Sequence, residues 1–174
     1  MGILEVESYS IKFDGRVLER GFWLYVIDVS TSDGRRLYVG RTGDSSSCNA
    51  GSPFARIGQH LDYRAKAKGN ALARNLRAVG VNPSACTMEM IAIGPMFPEE
   101  RTFSVHKRVR DVMAGLEGAV ATALRQRGFT VLGKHSVSHS PDPRKLNEVL
   151  GLIEKQLAKQ LHNRKQGHLT ESKE

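Results

Sequence analysis

Residues 22–40 read FWLYVIDVSTSDGRRLYVG, and no other stretch narrows the fold as far. A run of β-branched and aromatic residues meets a turn signal at Asp33-Gly34 and returns as LYVG. Two apolar runs separated by Asp-Gly are a strong short-range signal for an antiparallel hairpin. The first run, FWLYVIDV, carries a single charge at Asp28 and suits a buried strand. In a regular register, Tyr25 and Tyr38 come to the same end of this hairpin. On local grounds each is either a core aromatic or a phenol aimed at something polar beside Arg41.

The remaining chain alternates between helical and extended periods. Residues 3–13 alternate loosely, and Asp14-Gly15 offers a turn before RVLER, so residues 1–21 are expected to form an N-terminal β extension. GDSSSCNAGSP, at 43–53, is built of turn formers. Phe54, Ile57 and Leu61 then recur at helical steps, and NALARNLRAV predicts a second helix over 70–79 ending at Gly80. CTMEMIAI, at 86–93, reads as a third strand. Residues 103–126 have helical spacing up to Gly128, and FTVLG follows as a short extended stretch. A helix over 141–165 carries Leu146, Leu150, Ile153, Leu157 and Leu161 on one face, leaving 166–174 as a frayed tail. The expected fold class is α+β: a small, mainly antiparallel three-stranded sheet flanked by helices, with an N-terminal hairpin and a C-terminal helix. The leucines of that helix pack on their own domain or serve a homodimer.

Composition bounds the setting. Lysine and arginine total 26 against 18 acidic residues in 174, a formal net charge of +8, which favours a polyanionic partner. The basic residues cluster: Arg56, Arg64, Lys66, Lys68, Arg74 and Arg77 face one acid, Asp62, between 54 and 80. Such a cluster contacts phosphates without reading sequence. The two cysteines, Cys48 and Cys86, are far apart, which fits a reducing cytoplasm better than a disulfide framework. No apolar run reaches the ~20 residues of a bilayer span, so no membrane is expected.

Several residues stand out chemically. Arg56 and His60, four apart, share one helix face. Glu117 lies within the apolar stripe of Val109, Val112, Met113, Leu116 and Val120, where a carboxylate is costly unless paired or bound to a cation. The Gly/Ser-rich stretch lacks the Gly-Lys-Ser/Thr ending of a phosphate-cradling loop. His135 and His139 have a zinc-compatible spacing but no cysteine pair, so a polar loop is the better reading.

These residues, in this order, resemble the GIY-YIG nuclease superfamily over roughly residues 22 to 130. Trp23-Leu24-Tyr25 stands where the first tripeptide falls, without its glycine. Tyr38-Val39-Gly40 matches the second closely, with the continuation YVGRTGD. FARIGQHL is similar to the arginine helix, with Arg56 at the arginine and His60 one turn later, and GLEGAVATALRQRG to the glutamate helix, with Glu117 as its acid. Members commonly carry an asparagine beyond the glutamate; here Phe129 and Thr130 stand in that region.

The resemblance implies a nuclease domain over 22–135 that hydrolyses DNA phosphodiesters with a single Mg²⁺ or Mn²⁺ held by Glu117. It further implies that Arg56 clamps the scissile phosphate, that Tyr25 is the general base and that Tyr38 orients water or phosphate. For Tyr25, a cation at Arg41 or His60 is expected to lower the phenol pKa. Gly40 is expected to let the backbone pass close to a phosphate. Arg41 and the basic cluster would hold the nucleic acid. The absent asparagine leaves a second reading open, a degenerate module that binds nucleic acid without cutting it.

Overall fold

The fold was obtained as a computed structural model, which describes residues 6–44, 47–62, 64, 66–135 and 139–171, with side chains up to 160. Its centre is the hairpin. Strands β1 (Phe22–Thr31) and β2 (Gly34–Arg41) pair antiparallel, with Thr31 opposite Gly34 across a Ser32-Asp33 loop. Gly34 takes φ +134, a conformation that side chains disfavour, which explains the glycine after Asp33.

β1 is buried along nearly its whole length because both faces are covered. Phe22, Leu24 and Val26 point to one side, against α3 (Phe103–Gln126) and α4 (Pro143–Glu171) through Met113, Leu116, Val120, Leu124, Val149 and Ile153. Tyr25, Ile27 and Val29 point to the other, with Tyr38, against Leu72 and Leu76 of α2 (Ala71–Ala78). Two-sided burial is why the strand reads as a continuous apolar run rather than an alternation. The shorter α1 (Pro53–His60) begins at Ser52, whose hydroxyl accepts from the Ala55 amide, with Pro53 in the first turn.

The sheet has four strands in the order β3-β1-β2-β4, where β3 is Thr87–Phe97 and β4 is Val131–Leu132. β4 runs parallel to β2, pairing Leu37 with Val131 and Tyr38 with Leu132. The fold is α+β as expected, but the sheet is mixed and has four strands where a mainly antiparallel sheet of three was expected. The FTVLG stretch shrinks to a two-residue ladder, too short for any periodicity to reveal its partner or direction.

The N-terminal β extension is also corrected. No strand forms among residues 6–21, and Gly15–Leu18 is a short 3₁₀ turn. Asp14 does not open a hairpin; its side chain accepts from the Arg16 amide and caps that turn. Val6, Tyr9 and Ile11 stay exposed, because loose alternation forms a strand only where a sheet edge receives it. Residues 1–5 lie outside the described residues. At the other end, α4 continues as helix to Glu171, so the part of the frayed tail that is described, 166–171, is helical. Val149, Leu150, Ile153 and Leu157 are buried within the chain's own core, so this part of the apolar face packs on its own domain. Leu161 lies outside the described side chains.

One buried ion pair ties the hairpin to α4. Asp28, fully buried on β1, accepts two hydrogen bonds from Arg35 on β2, at 2.8 and 2.9 Å. Arg35 also reaches Gln160 of α4 and lies over the Phe129 ring. Removing one partner leaves the other charge without its mate in low dielectric. Asp28→Ala is expected to lower unfolding free energy by about 3 to 5 kcal/mol in urea titrations, whereas truncating exposed Lys155 leaves it nearly unchanged.

Candidate active site

The hairpin register sets the site. Tyr25 lies opposite Gly40, and a Cβ on Gly40 would stand 2.5 Å from the Tyr25 ring. Gly40 thus makes room for the tyrosine rather than for a passing phosphate, as had been expected. Thr42, next in the YVGRT run, accepts from the Trp23 amide and donates to the Gly21 carbonyl, closing the end of β1.

The Tyr25 phenol reaches beyond the space over Gly40. Its oxygen lies 2.6 Å from His60 Nε2 and 3.3 Å from the Arg41 carbonyl. Burial raises the Tyr25 pKa well above its ordinary value, and the nearby Arg56 charge opposes this only in part. Burial also lowers His60, to about 4, with Arg56 adding to the effect. A neutral phenol therefore meets a neutral imidazole, and a single proton bridges them. This corrects the expected role of His60 as a cation that lowers the Tyr25 pKa. Tyr25 can take a proton here only by passing its own to His60.

The second tyrosine sits closer to the surface. Tyr38 meets the His60 ring edge-on, with centroids 5.0 Å apart. Burial, reinforced by the Glu117 charge, raises its pKa to about 12. Arg56 is held by Asp44 at 2.8 Å and by Gln59 at 2.8 Å, and its Nε is buried without a hydrogen-bond partner among the described residues. Glu117 is paired, as the sequence required: Arg41 Nε stands 3.1 Å from its carboxylate. Arg41 Nη1 is buried with no hydrogen-bond partner among the described residues. Burial raises the Glu117 pKa to about 7, against the pull of Arg41.

Tyr38, Arg41 and Glu117 line one open cavity of about 460 Å³, joined there by Asn75, Lys134 and His135. Tyr25, His60 and Arg56 do not line it; they form the layer behind Tyr38. The remaining basic candidates, Arg64, Lys66, Lys68, Arg74 and Arg77, lie exposed on the segment after α1 and on α2, and none lines the cavity. Arg64 is paired with Asp62 at 2.6 Å. Arg74 is near enough for its charge to act on Tyr38.

Four residues of this neighbourhood carried no role in the sequence. Asp44 was visible in YVGRTGD, yet nothing local marks it as the partner of Arg56. Asn75, Lys134 and His135 come from α2 and the turn after β4, which meet the cavity only through the tertiary fold. Among the described residues no group of three or more His, Cys, Asp or Glu side chains could hold a metal ion. A lone cavity carboxylate instead fits a largely hydrated Mg²⁺ whose shell is completed by substrate oxygens.

No protein-family model matches this chain, and neither a curated protein nor a solved structure was found to match it. Among the described residues no helix is long and apolar enough to cross a membrane.

Two outcomes follow from this geometry. The Tyr25 ring is fully buried and has no room to yield, so Gly40→Ala is expected to cost roughly 1 to 3 kcal/mol of stability through overpacking. It should also break the Tyr25–His60 contact, read as a shift of the Tyr25 ring resonances by NMR. For Glu117, the folded pKa near 7 lies above the ordinary 4.5, so the folded state binds this proton more tightly than the unfolded chain. Stability from this group is therefore present below about pH 4.5 and lost as pH rises to about 7. Glu117→Gln lacks that loss, and unfolding titrations of the two proteins should differ in slope across this window.

Proposed function

We propose that this protein is a metal-dependent endonuclease that hydrolyses DNA phosphodiesters. The observation that carries the reading is the meeting of Arg41, Tyr38 and Glu117 at one cavity, with Tyr25, His60 and Arg56 directly behind. These residues come from two strands and two helices and share no local reason to converge. Their types match the order of the GIY-YIG resemblance.

Glu117 would hold a single Mg²⁺ or Mn²⁺, which when bound neutralises charge on the phosphate and the leaving 3′ oxygen. Arg41, on the cavity wall, keeps buried N–H groups without a hydrogen-bond partner among the described residues, donors that a phosphate oxygen would satisfy, and Arg56 adds its charge from the layer behind. A guanidinium suits this because its donors are fixed in a plane. Because the Tyr25–His60 pair is buried behind Tyr38, the attacking water would reach it only once Tyr38 shifts aside; its proton then passes to the Tyr25 oxygen while the Tyr25 proton passes to His60. In the free protein Arg56 helps to hold the His60 pKa down. A phosphate beside Arg56 offsets that charge and moves the imidazole back toward its ordinary range, so substrate switches on the proton acceptor. Tyr38, against both the His60 ring and the cavity, keeps this pair out of bulk water.

One observation favours the second reading, a module that binds nucleic acid without cutting it. The Glu117 carboxylate is already engaged by Arg41, and a cation must displace that guanidinium. Incubating supercoiled plasmid with the purified protein and Mg²⁺ or Mn²⁺ separates the two. The nuclease reading expects nicking that Glu117→Ala abolishes, with kcat about 100- to 10,000-fold lower in Tyr25→Phe and His60→Ala. Salt-sensitive DNA retention without cleavage under either metal would leave the binding module.

A further inference from the structure

The turn after β4 has no part in that chemistry, yet it is the most firmly anchored wall of the cavity. Arg125, near the end of α3, donates to the Gly133 carbonyl at 2.8 Å and lies 3.1 Å from His135 Nδ1. His135 Nε2 lies 3.0 Å from the Val39 carbonyl. Arg125 has only donors, so Nδ1 accepts and Nε2 carries the hydrogen given to Val39. One neutral tautomer satisfies both contacts, and burial together with the Arg125 charge holds the His135 pKa below its ordinary value.

On one side of Lys134 the Gly133 carbonyl is thereby held to Arg125 of α3, and on the other the His135 ring is held to Val39, the central residue of the motif that carries Tyr38 and leads into Arg41. Gly133 has φ +80, and a Cβ there would stand 2.9 Å from Asn75 Nδ2. The glycine thus both makes the turn and leaves room for the carboxamide. Lys134 and Asn75 sit side by side on the cavity wall, and neither has an ion pair or hydrogen bond among the described residues. Beyond Asn75, α2 presents Arg74 and Arg77 to solvent.

A volume of about 460 Å³ is the size of a small-ligand pocket and exceeds the needs of one phosphate group. An ammonium and a carboxamide supply N–H donors suited to a phosphate that is held but not attacked.

We propose that Lys134 and Asn75 bind a second phosphate of the substrate strand, beside the one held by Arg41. The site then takes a polynucleotide rather than an isolated phosphodiester. This rests on the reading of the cavity as a phosphodiester site, and the two parts fail separately. In EDTA, fluorescence anisotropy of a labelled DNA duplex is measured over a range of salt for wild type, Lys134→Ala, Lys134→Arg, Asn75→Ala and a control, Lys155→Ala.

One phosphate contact contributes about 0.9 to the slope of log affinity against log salt. Lys134→Ala is expected to lose about that much while Lys134→Arg and Lys155→Ala keep the wild-type slope. Asn75→Ala should weaken binding with the slope unchanged. With Mn²⁺, Lys134→Ala should lose at least about tenfold in kcat/KM on the duplex, about one phosphate contact's share of affinity, and nothing on bis(4-nitrophenyl) phosphate. An unchanged slope in Lys134→Ala, an equal loss in Lys155→Ala, or a wild type that does not bind duplex overturns the inference. If the slope falls as expected but no substrate is cleaved, the second phosphate subsite stands and the nuclease reading falls.

Discussion

Tyr25 lies across the hairpin from Gly40 with its ring in the space a side chain there would fill, and the site is arranged around that contact. The ring cannot retreat, because β1 is packed on both faces. Its oxygen is therefore delivered to one place, between the Arg41 carbonyl and His60. α1 meets it there because the Ser52 cap and Pro53 fix where that helix starts. His60, at its last turn, then contacts both tyrosines. A single close approach between a ring and a glycine thus aligns two strands and a helix.

The charges at the cavity follow from burial. The Arg41 guanidinium and the Glu117 carboxylate stand largely buried on its wall, with Arg56 in the layer behind, and each cation keeps a donor without a hydrogen-bond partner among the described residues. The Arg41–Glu117 pair offsets the carboxylate charge in the free protein without a hydrogen bond, since Arg41 Nε has no hydrogen-bond partner among the described residues. Phosphate and metal arriving together would exchange these partners, giving the anion to Arg41 and the cation to Glu117. Neither ligand alone completes the exchange: metal alone leaves Arg41 without an anion, and phosphate alone leaves Glu117 without a cation. On the proposed reading, binding of the two would therefore be coupled through one ion pair.

Much of this arrangement was legible in the sequence. The hairpin announced itself through Asp33-Gly34 between apolar runs, and the helices through their periods and their Gly or Pro boundaries. Glu117 could be marked because a carboxylate in an apolar stripe demands a partner. The partner itself, Arg41, was read as a contact for nucleic acid or a cation beside Tyr25, not as the mate of Glu117, since residues 76 positions apart share no local signal. The N-terminal alternation misled, because alternation describes what a strand would bury and not whether an edge awaits it. β4 was too short to show its parallel pairing. Asn75, Lys134 and His135 carry no motif, and only the crossing of α2 with the turn after β4 gives them a common wall. Gly40 was identified correctly but for the wrong reason, its role being set by Tyr25 on the facing strand.

A crystal structure of the protein with a short DNA duplex and Ca²⁺ tests the exchange of partners at the cavity most directly. The account predicts the cation on Glu117, a phosphate against Arg41, and the Tyr25 oxygen still on His60. An intact Arg41–Glu117 pair with the duplex bound elsewhere on the molecule would contradict it.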